Sequence, residues 1–336
     1  MRLATILTPG EGTPAVAILL ENGAALPIAG LAQIAGWPVA EAMGRLSLAE
    51  LLAADPELTP FREALAGAED SAVQSAAIPA RSFRFGPPIA RPGKIVGVGY
   101  NYLEHIREQG LETPVRPVLF SMFANAVTGP SEPIRHPAGT HALDLEAELA
   151  VVIGRETSRI APELALQCVA GYSAANDVTA RDWQGQARAL RPGEKGDGQW
   201  LRAKGSDTFL PLGPVLVTAD ELGDGRGLAV RSWVTRAADG PKAKPFQMQD
   251  GNTSDLLFGV AELISIISAE VTLDPGDVIV TGTPSGVGVF REPQLFLRPG
   301  DLMAVEVERI GRLTNPVTDT DGKAPKGSPA ARFLAL

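Results

Sequence analysis

Residues 144–154 read DLEAELAVVIG, three acids at alternate positions running into a stretch that is apolar at every position. Successive side chains on a strand point to opposite faces. On a strand, Asp144, Glu146, Glu148 and Ala150 therefore share one side, and Leu145, Ala147 and Leu149 share the other. Val151, Val152 and Ile153 are apolar on both faces, the pattern of a strand covered above and below. Carboxylates two apart on a strand stand roughly 6–7 Å from each other. At an effective dielectric near 20 each such pair repels by about 3 kcal/mol. Unless this face is simply solvated, a shared proton, a basic partner or a cation must offset that repulsion. Carboxylate oxygens without thiolates favour a hard cation, Mg²⁺ or Mn²⁺, with Ca²⁺ also admissible.

Bulk properties narrow the classes. The net charge is −9 and no Lys/Arg-rich run occurs, so no nucleic-acid partner is expected. The single cysteine, Cys168, excludes an internal disulfide and a cysteine-based zinc site, and fits a reducing, cytoplasmic setting. No apolar run approaches the ~18–20 residues of a membrane span, and the opening MRLATILTPGEG lacks the apolar core of a signal peptide. At 336 residues, 45% of them hydrophobic, the chain is long enough for one large domain or two ordinary ones.

Residues 1–85 alternate short strand-like pieces with an Ala/Leu-rich helical piece, and RFGPPIARPG (84–93) reads as a linker. Beyond it the chain reads as β-rich with frequent Pro/Gly punctuation. Helices are expected near 101–109, 161–168, 179–188 and 253–267, the last capped by Thr253 or Ser254. The C-terminal TDTDGKAPKGSPAARF reads as a solvated tail.

Several residues could carry chemistry. Asp177, in GYSAANDVTARDWQ, is either an N-cap or a third carboxylate for the acidic strand. His105 and Glu108, in GYNYLEHIREQG, share a face of a helical turn; they are an exposed pair or a base and its orienter. His136 and His141 lie in a loop-like stretch and read as structural. Lys204, flanked by Trp200, Leu201 and Phe209, is either solvated or a partly buried cation able to steady a developing enolate. PGDVIVTGTPSGVG (275–288) lacks the Lys-Ser/Thr ending of a phosphate loop, and GVGYNY (97–102) lacks the third glycine of a dinucleotide fingerprint. The former is a tight turn, or offers backbone amides and the Thr283 hydroxyl to a substrate carboxylate.

Taken together, GYNYLEHIRE, DLEAELAVVIG, GYSAANDVTARDWQ, AKGSDTFLPLGP, MQDGNTSDLLF, LDPGDVIVTGTPSGVG and LRPGDLMAVEVERIGRLTNPV resemble, in order, the blocks of the fumarylacetoacetate hydrolase superfamily. They span about residues 92–317. The resemblance implies an α+β, β-rich fold: a catalytic domain of layered mixed sheets in a β-sandwich roll with few helices over 92–336, and a smaller N-terminal α/β domain over 1–88. It implies a homodimer, and a Mg²⁺ or Mn²⁺ ion held by Glu146, Glu148 and Asp177, with Asp144 behind them. It further implies a His105–Glu108 dyad, an active-site Lys204, and substrate contacts at Tyr102, Gln184 and Thr283. Two departures stand out. Met122 occupies a position where many members carry Lys or Arg. The stretch 185–200 is longer than usual; it could supply Arg188, Arg191 or Lys195 instead, or act as a lid.

The activity this implies is hydrolysis of a C–C bond in a 2,4-dioxo acid of the acylpyruvate, fumarylpyruvate or fumarylacetoacetate kind. His105, oriented by Glu108, would activate a water, and the departing enolate would be steadied by the cation and Lys204. Decarboxylation, keto–enol isomerisation or a lyase reaction on a 2-oxo acid is the alternative. A protein that kept the fold and lost catalysis is the reading from another class.

Overall fold

A computed structural model describes residues 1–10, 13–196, 198–240 and 242–336. The two-sided apolar run becomes the strand Ala147–Ile153, in the middle of a large mixed sheet. It pairs antiparallel with Val169–Asn176 on one side and Val278–Val280 on the other. The sheet continues through Leu210–Thr218, Arg2–Leu7 and Ala15–Leu19 in one direction. In the other it runs through Ile95–Gly99 to Val118–Met122. A smaller sheet joins Phe246–Asn252, Ala229–Thr235, Leu302–Val307, Gly311–Thr318 and Ile134–Arg135. This is the expected β-rich α+β architecture with few long helices.

The alternation of the central strand shows which faces are covered. Leu149 and Val151 join Val217 from the same sheet and Val230, Val305 and Leu313 from the smaller one in a single apolar cluster. The other face, with Ala150 and Val280, packs against Leu51, Leu52 and Phe61 from the first 88 residues. Strand Arg2–Leu7 also pairs with Leu210–Thr218, so the N-terminal segment shares both sheet and core with the residues beyond the 84–93 linker.

Four local expectations are corrected. The acidic strand is interrupted: Leu143–Asp144 and Ala147–Ile153 are separate, and Glu146 sits in the break. The helix expected from 253 begins at Val260, because Asn101 captures the backbone before it: its amide donates to Phe258 O (3.1 Å) and accepts from Phe258 N–H (2.8 Å). Thr253 Oγ1 instead accepts from Leu228 N–H (2.9 Å). The C-terminal segment is no loose tail, since Ser328 caps a helix Pro329–Leu334 whose Pro329 and Ala330 are buried. The stretch expected to be helical over 179–188 holds only the turn Arg181–Gln184 and a 3₁₀ turn at Ala187–Ala189.

Candidate active site

The break in the acidic strand turns Glu146 toward Asp177. Asp177 N–H donates to Glu146 O (2.9 Å), and Glu146 N–H donates to Asn176 Oδ1 (2.9 Å). Asp144, Glu146, Glu148 and Asp177 are 1%, 4%, 2% and 1% exposed, so a solvated acidic face is ruled out. One oxygen from each of Glu146, Glu148 and Asp177 lies within 4.8 Å of the others.

Two buried cations answer part of this charge. Arg181 pairs with Asp144 (3.0 Å) and Glu146 (2.7 Å). Lys204 pairs with Glu146 (2.7 Å) and Asp177 (2.5 Å), and its third proton goes to Thr179 Oγ1 (2.9 Å). With all four ionised, four carboxylates against two cations would leave two negative charges uncompensated in a place where an isolated charge is costly. The titration behaviour reflects this. Glu146 faces strong desolvation, yet Lys204 and Arg181 hold its carboxyl down at about 2. Burial, together with Asp177 and Glu146, pushes Glu148 well above the usual carboxylate range. Burial, opposed by Lys204 but reinforced by Glu146, lifts Asp177 to about 7. Asp177 Oδ1 is buried without a hydrogen-bond partner. A divalent cation fits this set on two counts: it supplies the two missing positive charges and a partner for that orphaned oxygen. The donors, all oxygens, suit a hard ion and do not select among Mg²⁺, Mn²⁺ and Ca²⁺.

His105 of the dyad lines the same cavity, whose volume is about 270 Å³ and whose walls also include Glu146, Glu148, Asp177, Arg181, Lys204 and Thr283. His105 is buried on the helix Leu103–Glu108, and its Nδ1 stands 2.6 Å from Glu108 Oε1. Glu108 Oε2 accepts from Gly286 N–H (3.1 Å), tying the dyad to the Gly-rich loop. In the neutral imidazole this contact assigns the proton to Nδ1, where the carboxylate accepts it, and leaves Nε2 the lone pair. The same loop reaches the carboxylates through Gly282 N–H, which donates to Glu148 Oε2 (2.7 Å). Gly282 has φ +96°, and a Cβ there would meet Asn101 Cβ at 2.9 Å, so only glycine brings that amide so close.

Of the expected substrate contacts, Gln184 and Thr283 line the cavity. Tyr102 does not: it precedes the helix Leu103–Glu108, is 2% exposed, and its place at the wall is taken by Tyr100. Met122 is buried in the apolar core and does not line the cavity. Within 185–200, of which all but residue 197 is described, Gly185, Gln186, Ala187 and Trp200 form part of the wall. Arg188 turns away to pair with Glu292 and to stand 5.8 Å over the Phe290 ring; neither Arg191 nor Lys195 lines the cavity. Sequence reasoning missed Arg181, although it sits in GYSAANDVTARDWQ beside Asp177 and is the basic partner that the acidic strand calls for. It also missed Gln249, whose amide donates to Thr283 Oγ1 (2.7 Å) and Pro284 O (2.8 Å) and accepts from Ala147 N–H (2.9 Å). No spacing flags that glutamine.

One consequence concerns pH. In the ion-free protein, Asp177 and Glu148 hold protons to higher pH in the fold than in the unfolded chain. The folded state then binds more protons, and stability falls as pH rises from about 4 toward about 7. The urea midpoint of chelator-treated protein is expected to be higher at pH 5.5 than at pH 7.5, and Asp177→Asn is expected to flatten the difference. Excess Mg²⁺ should raise the pH 7.5 value most, because binding requires ionised carboxylates. A midpoint that climbs with pH in the ion-free protein contradicts this.

Buried carboxylates facing a histidine–carboxylate pair across one small cavity define a site for acid–base chemistry on a small molecule. The chain belongs to the fumarylacetoacetate hydrolase family: residues 94–318 match the family model described as "Fumarylacetoacetate (FAA) hydrolase C-terminal". It is 44% identical over 230 residues to a protein named oxaloacetate tautomerase fahd2, mitochondrial, from Xenopus laevis, covering 68% of this chain and 67% of the frog protein. Among solved structures it resembles a 2-hydroxyhepta-2,4-diene-1,7-dioate isomerase from Mycobacterium marinum (TM-score 0.65, 32% identity, 95% of this chain and 98% of that one). It also resembles a fumarylacetoacetate hydrolase from Exiguobacterium antarcticum (TM-score 0.73, 30% identity, 95% and 100%). The cytoplasmic setting is withdrawn, since the frog relative is named as mitochondrial. A single buried, free cysteine fits any reducing compartment and so never discriminated among them.

Proposed function

We propose that this chain catalyses keto–enol exchange of a 2-oxo acid, with Glu146, Glu148 and Asp177 as the seat of a divalent cation. The observation that carries this reading is His105, held by Glu108 and lining the cavity that those three carboxylates also line. The names of the frog tautomerase and the mycobacterial isomerase support it over the C–C hydrolysis expected first.

A divalent ion bound there would supply Lewis-acid polarisation of the vicinal oxygens of a 2-oxo acid. The chain's residues do the rest. His105 Nε2 takes the proton from C3, and Glu108 stabilises the resulting imidazolium. The same nitrogen hands that proton to the C2 oxygen to give the enol, and in the reverse direction takes the enol O–H proton and returns it to C3, so no attacking water is needed. Thr283 is held by Gln249 and by its own bond to Ala147 O (2.9 Å), and presents a fixed oxygen at the cavity wall. The three Lys204 protons are all spent within the protein, so Lys204 assists a developing enolate only by releasing a carboxylate.

The experiment is direct. With Mg²⁺ or Mn²⁺ present, the protein should accelerate the loss of the oxaloacetate enol's ultraviolet absorbance, and leave acylpyruvates uncleaved by NMR. Cleavage of an acylpyruvate with no effect on enol decay restores the hydrolytic reading, which the likeness to the Exiguobacterium antarcticum hydrolase favours.

A further inference from the structure

We infer that one wall of the cavity is built to receive an aromatic arm, so that this chain prefers a 2-oxo acid bearing an aryl group at C3 over one bearing a second carboxylate there. The inference rests on the keto–enol reading and deepens it. Tyr100, Phe120 and Trp200 all line the cavity. Trp200 meets Tyr100 edge-on at 6.1 Å between centroids and Phe120 at 5.3 Å.

The strand Ile95–Gly99 is shaped to hold these rings. A Cβ at Gly97 would lie 2.1 Å from the Phe120 ring, and one at Gly99 would lie 3.2 Å from the Trp200 ring. The two glycines of GVGY, which fit no nucleotide motif, let aromatic rings lie directly on strand backbone. Tyr100 follows with φ +56°, a left-handed conformation that bulky residues adopt only under constraint and that is concentrated at ligand sites.

Charge points the same way. Among the described residues lining the cavity, the only cationic side chains are Arg181 and Lys204. Each is already held between two carboxylates at 2.5–3.0 Å. Met122 is buried in the apolar core and brings no charge, and Arg188 pairs with Glu292. The polar remainder is largely amide. Gln184 Oε1 accepts from Arg181 (3.2 Å), and Gln109 donates to His105 O (3.2 Å). Neutral amides hold a carboxylate less firmly than a free guanidinium or ammonium does. An aryl group, by contrast, meets the aromatic surface that Tyr100, Phe120 and Trp200 present to the cavity.

Calorimetric titration of the Mg²⁺-loaded protein with phenylpyruvate and with oxaloacetate tests this independently of turnover. Phenylpyruvate is expected to bind at least about tenfold more tightly. Trp200→Ala should bring the ratio of the two Kd values near one, Trp200→Phe should keep most of it, and Tyr100→Arg should turn it toward oxaloacetate. The inference is overturned if the unaltered protein binds oxaloacetate as tightly as phenylpyruvate, or if the ratio survives both Trp200→Ala and Tyr100→Arg. If the aryl preference holds in binding yet neither acid undergoes enol–keto exchange, the wall stands and the keto–enol reading falls.

Discussion

Replacing His105 by alanine is expected to lower kcat/KM for enol–keto exchange by about 10²–10⁴-fold, the usual contribution of a positioned general base. The geometry isolates the effect. His105 reaches the carboxylates only across the cavity, while Glu146, Glu148 and Asp177 are held by Lys204, Arg181 and the Gly282 amide. Mg²⁺ binding, followed by calorimetry, should therefore survive the substitution. Glu108→Gln should cost less than His105→Ala, because an amide oxygen can still accept from Nδ1, although its nitrogen cannot accept the Gly286 N–H that Oε2 now accepts. An exchange rate for His105→Ala within threefold of the starting protein would move the base elsewhere.

Lys204→Met is expected to destabilise the ion-free protein at pH 7.5 by about 3–5 kcal/mol, the cost of removing one partner from a buried ion pair. The substitution keeps the stem's volume but strands Glu146 and Asp177, both buried, with Arg181 as the remaining cation. The loss should shrink at pH 5.5, where Asp177, lifted to about 7, is protonated and needs no counter-ion. Excess Mn²⁺ should recover part of it by mass action on the folded state. Urea unfolding at both pH values, with and without the ion, reads all three. An equal loss at both pH values, unmoved by Mn²⁺, would mean that Lys204 supports packing around Phe120, over whose ring its Nζ stands at 5.0 Å, and not the carboxylates.

Some of the site was legible in the chain because its signals are local. The i,i+3 spacing of His105 and Glu108 needs only one helical turn, and that turn forms at Leu103–Glu108. The apolar run after Glu148 needs only a covered strand, and Ala147–Ile153 is buried at every position. Tyr102 stands off the cavity wall because backbone direction, which adjacency to a dyad does not reveal, decides which of two neighbours faces a cavity. Here the left-handed turn at Tyr100 put that residue at the wall and Tyr102 in the interior. The helix expected from Thr253 failed for a similar reason. A side-chain amide 157 positions away, on Asn101, competed for the backbone of Phe258 and won.

The chain alone determined that Asp144, Glu146 and Glu148 lead within a few residues into a strand apolar on both faces, since the change to two-sided apolarity is written in consecutive residues. It could not determine how their mutual repulsion is met. Arg181 and Lys204 come from segments that meet Glu146 only when the sheet is assembled, and the dry setting that raises Asp177 is made by every strand around it. The balance of charge in such a place depends on distances and dielectric, which are properties of the folded whole.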